Sequence, residues 1–240
     1  DSMAKARVRQ YEIQEKGAGD GFAGMISMLK ESADDVHICW RACRALRPLL
    51  LNNGHPLKPG ESPPKKKEVV NFRDIAVDLQ CDLATLDVLR EFNDTRGESH
   101  LESLAKGQAV QLLGVCAFGN DLVRRRAGEN GAMKFITRVM ELHGSQDEKV
   151  LLHCLTTVTN LAHNNQDNRH RFIDAEGLHA LTDCMEAFTQ SPKVQRQGCW
   201  AMLTLAGSDE TARLVAEGGG SRALMTLINA LLNHPMDPGV

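Results

Sequence analysis

The segments EKVLLHCLTTVTNLAHNNQDNRHRFIDAEGLHALTDCMEAF and PKVQRQGCWAMLTLAGSDETARLVAEGGGSRALMTLINALL are two copies of one pattern. Val150 matches Val194 and Ala162 matches Ala206, each 44 residues apart, and a three-residue deletion then brings Ala175 onto Ala216. One copy of such a unit cannot bury its apolar face alone. Copies must therefore stack, and the fold is confined to an array in which each unit touches its neighbours. A weaker copy runs from Leu104 through LLGVCAFGNDLVRRRAGENGAMKFITRVM, and a degenerate one joins EKGAGDGFAGMISML to ADDVHICWRACRAL. The sequence predicts a single array over 1–240, best defined over 104–232, with about four to five units.

The units read as helical. Aromatic residues make up only 4% of the chain, and Leu, Ala, Val and Met supply most of its apolar content, which suits helix interfaces better than strands. The stretch NNGHPLKPGESPPKKK, residues 52–67, interrupts the pattern with four of the eight prolines and is predicted to be an exposed inserted loop. Within it Ser62-Pro63-Pro64-Lys65 fits a proline-directed kinase site, so Ser62 is a candidate phosphosite beside Lys65, Lys66 and Lys67. EVVNFRDIAVDLQCDLATLDVLREF then supplies the next two helices, and HPMDPGV at the end reads like the opening of another unit, so the chain is expected to be a fragment.

The short helix ending in AEG or ENG, the amphipathic LHALTDCMEAF and the longer helix ending in TNLAH together resemble the armadillo repeat. The resemblance implies a right-handed superhelix of three-helix units whose third helices line a concave groove for extended partner segments. It also places Gly131, Gly177 and Gly218 at the sharp break between first and second helices, where positive φ favours glycine.

Aligning the third helices puts Trp200, Thr156, Val110 and Trp40 in one column, with Thr204, Asn160, Gly114 and Arg44 four residues on. Columns headed by Cys199, Met202, Leu205 and Ala206 are apolar throughout, and in the first unit they hold Cys39, Ala42, Ala45 and Leu46. At about 100° per residue these form the core stripe, and the tryptophan column lies roughly 150° away. Trp200 is therefore expected on the outward face, which the armadillo resemblance makes the groove lining; Trp40 shares that column, but its degenerate unit leaves core and surface equally open. Lys193, Arg196, Trp200 and Thr204 recur at i, i+3, i+7 and i+11, a basic and aromatic ladder suited to acidic or phosphorylated segments. Importin-alpha adaptors carry Trp with Asn four residues later; here Trp200 is followed by Thr204, Trp40 by Arg44, and Asn160 by no tryptophan upstream, so import-cargo recognition is not expected. Asn160 resembles the family position that hydrogen-bonds an extended peptide.

The formal charge of −3 and pI near 6.3 argue against a nucleic-acid partner. Seven cysteines without CxxC pairing, among apolar helical residues, read as reduced thiols of a cytoplasmic or nuclear protein. No apolar run reaches the roughly 18 residues of a membrane span. No GxSxG, HExxH, phosphate-loop or calcium-loop pattern is present, and the histidines around His153 lack ligand spacing, so neither catalysis nor a cofactor or metal is expected. The functional expectation is a monomeric scaffold binding a protein or peptide through Trp200, Thr204, Arg196, Lys193, Asn160, Thr156, Trp40 and Arg44. The alternative is a regulatory or autoinhibitory domain of a larger protein.

Overall fold

A computed structural model describes residues 18–51, 72–93, 100–218 and 220–237. The predicted loop 52–67, Ser62 included, lies outside them. The described residues form thirteen α-helices and no strand, an architecture of the α-solenoid kind. In chain order these are α1 (Ala18–Glu31), α2 (Val36–Leu51), α3 (Phe72–Asp78), α4 (Cys81–Glu91), α5 (His100–Ala117), α6 (Asp121–Glu129) and α7 (Ala132–Val139). A π-helical turn, Met140–Gly144, leads to α8 (Glu148–Ala162), α9 (Gln166–Asp174), α10 (Gly177–Ala187), α11 (Pro192–Leu205), α12 (Asp209–Gly218) and α13 (Gly220–Asn233). A short helix, a second helix and a longer third helix recur as α3–α5, α6–α8 and α9–α11. α1 and α2 precede these units, and α12 and α13 follow them.

Local chemistry punctuates each unit. Side chains of Asn120, Asp147, Asn165 and Ser191 accept backbone N–H bonds from the first turns of α6, α8, α9 and α11, satisfying donors that a helix start leaves open. Between first and second helices one residue turns left-handed: Gln80 at φ 53°, Gly131 at φ 86° and Glu176 at φ 60°. The expectation for Gly131 holds, whereas in the next unit Glu176 takes the strained position and Gly177 begins α10. Gly177 is needed for space, since a Cβ there would lie 2.6 Å from the Phe172 ring. Gly218 is the last residue of α12.

The third helices α2, α5, α8 and α11 pack side by side in sequence, and among the described residues the contacts of α5 with α8 and with α2 are the most extensive between helices. The core runs unbroken beneath them and includes Cys39, Leu46, Leu112, Leu113, Leu155, Leu161, Ala201 and Leu205. Ala45, expected in the core stripe, is exposed. Among the described residues α2 has a third helix, α5, on one side only. All seven cysteines are free thiols, and burial, with Asp35 and Asp34 nearby, pushes the Cys39 thiol up to about 12. None of the described helices is long and apolar enough to cross a membrane.

Candidate functional site

Close approach between third helices is bought by glycine. A Cβ on Gly114 of α5 would fall 2.4 Å from Thr157 Oγ1 of α8, and one on Gly107 would fall 3.0 Å from Val150 Cγ2. At that separation side chains of one helix reach the backbone of the next. Thr157 Oγ1 donates to Val110 O at 2.9 Å, Asn160 Nδ2 to Gly114 O at 3.0 Å, and His153 Nδ1 to Gly107 O at 3.1 Å. Ser191 Oγ, at the start of α11, donates to Glu148 Oε1 of α8 at 2.9 Å. These contacts fix the spacing of the layer and hence of whatever its outward side presents.

On α11 that outward side is the expected one. Trp200 is 58% exposed, Lys193 and Arg196 are exposed, and Thr204 is half-buried. Thr204 Oγ1 donates to Trp200 O at 2.8 Å, a bond within its own helix. Arg196 Nη2 is paired with Asp237 Oδ2, which approaches from the segment after α13. On α8, Thr156 is exposed and bonded to Leu152 O, in line with Trp200 one unit on.

Asn160 is partly engaged within the array. One of its N–H groups is spent on Gly114 O, so the side chain ties α8 to α5 rather than pointing wholly outward. The column in α5 is also shifted. Val110 and Gly114 are buried, and Gln111 is the half-buried residue between buried neighbours on either side. The caps explain this: Asn120 and Asn165 are 45 residues apart, which brings Gln111 onto Thr156 and Val115 onto Asn160. Gln111 accepts a hydrogen bond from Arg47 of α2, joining two third helices on that side. The cap spacing in the sequence is the signal that identifies Gln111.

In α2, Trp40 is half-buried, and the guanidinium carbon of Arg44 lies 5.2 Å from its ring centroid. The two expected site residues thus occupy each other in a cation–π contact. The run Arg124-Arg125-Arg126 makes no shared patch: Arg124 is buried and paired with Asp121, Arg126 binds buried Asp82 of α4, and Arg125 alone is exposed.

The four third helices contain seven Lys and Arg residues and two acidic ones, although the chain as a whole carries −3. Of the seven, Lys106 is buried; Arg41, Arg44, Lys149, Lys193 and Arg196 are exposed and Arg47 is half-buried. The surface also carries hollows. One of about 450 Å³ lies at the α10–α11 turn beside Glu148, Phe188 and Lys193. A broader cleft of about 750 Å³ opens between α7 and α9, away from the ladder, with Lys134, Arg138 and Arg171 balanced by Glu141, Asp174 and Glu176. Among the described residues no group of three or more His, Cys, Asp or Glu side chains is arranged to hold a metal ion.

No protein family model matches the chain, and no curated protein is similar to it. Two crystal structures of engineered proteins from the Northeast Structural Genomics Consortium are similar in fold. One has a TM-score of 0.64 at 18% identity, covering 97% of this chain and 93% of the other. The second has a TM-score of 0.62 at 16% identity, covering 89% of this chain and 79% of the other. At that identity the likeness concerns fold alone.

Proposed function

We propose that the chain is an armadillo-type superhelix and a protein-interaction scaffold, whose third helices line a groove for an extended acidic or phosphorylated partner segment. The observation that carries this reading is the exposed indole of Trp200 on the same helix face as Lys193 and Arg196, in a helix layer where cations outnumber acids. An exposed tryptophan beside arginine is the composition of an interface hot spot. Arginine supplies forked donors for carboxylate or phosphate, and the indole supplies a rigid apolar platform. Thr156 and Gln111 continue the row with neutral hydrogen-bonding groups suited to a peptide backbone.

The test uses a Trp40→Phe variant, which leaves Trp200 as the sole indole. Its emission is titrated with glutamate-rich, phosphoserine-containing and lysine-rich peptides of equal length. Acidic peptides should shift the emission, with affinity falling as salt rises, because the attraction is partly screened. Equal or tighter binding of the lysine-rich peptide would refute the proposal.

A further inference from the structure

The far end of the array exposes an apolar face that its own preceding units keep covered. Leu224, Met225 and Ile228 of α13 are 53%, 50% and 46% exposed, and Leu203 of α11, a helix packed against α13, is 64% exposed. Aligning α10 with α13 through Ala180 and Ala223, both buried, places Leu224, Met225 and Ile228 at the positions of Leu181, Thr182 and Met185. All three counterparts are buried, and so is Thr159, the counterpart of Leu203 on α8. Over Met185 lies α11. Gln195 Nε2 donates to Met185 O at 2.8 Å, and a Cβ on Gly198 would fall 2.4 Å from Met185 Sδ. A third helix with a glycine facing Met185 is thus the cover that this kind of face receives inside the array.

The backbone leaving α13 already heads towards that position. His234 Nε2 lies 2.8 Å from Thr189 O, and Asp237 reaches Arg196 of α11. In the sequence Asp237-Pro238 stands where Ser191-Pro192 opens α11. We infer that the end face formed by α13 and Leu203 is a repeat interface that takes the third helix of a further unit, with a small residue set against Ile228. A second copy of this chain placed head to tail fits poorly: it would have to present α2, whose exposed residues include Arg41 and Arg44, to an apolar surface. The further helix would also set Trp200 inside the row of third helices rather than at its edge. This inference does not depend on what the row binds.

The experiment extends the chain by a copy of residues 192–237 placed directly after Asp237, which supplies a third helix of the α11 type. The extended chain should unfold in one transition, with a thermal midpoint higher by about 5 °C or more. Gly198→Leu in the copied unit alone should abolish that gain. Ile228→Glu should leave the midpoint of the 240-residue chain nearly unchanged and lower that of the extended chain. Sedimentation should find the 240-residue chain monomeric. An Ile228→Glu effect of equal size in both chains, no gain on extension, or a 240-residue dimer that Ile228→Glu dissociates would each overturn the inference.

Discussion

Trp200 and Leu205 lie five residues apart on α11, yet the indole is 58% exposed and the leucine is wholly buried. One helix therefore separates the presenting surface from the packing surface. Trp200→Ala is expected to cost under about 1 kcal/mol in stability, because it opens no cavity. Leu205→Ala is expected to cost about 2 to 5 kcal/mol. Urea unfolding of both variants checks the contrast; equal losses would make Trp200 a structural residue.

The pair Arg196–Asp237 sets the ladder's cation against an acid of the same chain. An acidic partner must compete with that contact. Asp237→Asn is expected to strengthen binding of a glutamate-rich peptide at low salt, and Arg196→Ala to weaken it. Calorimetry on the two variants decides the matter, and identical affinities would remove Arg196 from the site.

Gly114 is held against Thr157, with the Thr157 Cα itself only 3.2 Å from where a Cβ would stand. Backbone cannot rotate away as a side-chain tip can. Gly114→Ala is expected to destabilise by about 1 to 3 kcal/mol through forced separation of α5 and α8. Thermal unfolding measures this, and an unchanged midpoint would mean the helices have room to part.

Stability should also fall on mild acidification. Burial, with Lys106 Nζ 3.5 Å from His143 Nε2, lowers the His143 pKa below 6.5, and burial lowers that of His153 as well. Below about pH 6.5 the unfolded chain binds protons that the folded chain resists, so unfolding gains as pH drops. Urea midpoints should be lower at pH 5.5 than at pH 7.5, with a smaller difference in His143→Gln. A protein more stable at pH 5.5 would contradict this.

The repeat was legible because the apolar stripe recurs wherever third helices pack, and it set exposed Trp200 and Thr156 apart from buried Leu205. Register in α5 was harder: the apolar alignment put Val110 in the outward column, and the cap pair Asn120 and Asn165 puts Gln111 there instead. Glu176 was missed because the neighbouring glycine looked like the natural left-handed residue, although Gly177 is small for the sake of the Phe172 ring. The bonds of Asn160 to Gly114 O and of Arg196 to Asp237 depend on the distance between units, which no one-dimensional pattern contains.

The most direct test of the scaffold reading is selection from a random peptide library against the wild-type chain and against a Trp200→Ala, Arg196→Glu variant of matched stability. The account predicts that wild type enriches acidic, extended sequences and that the double variant loses them by about thirtyfold or more. Enrichment of basic or uncharged peptides, or acidic peptides that bind both proteins equally, would contradict it.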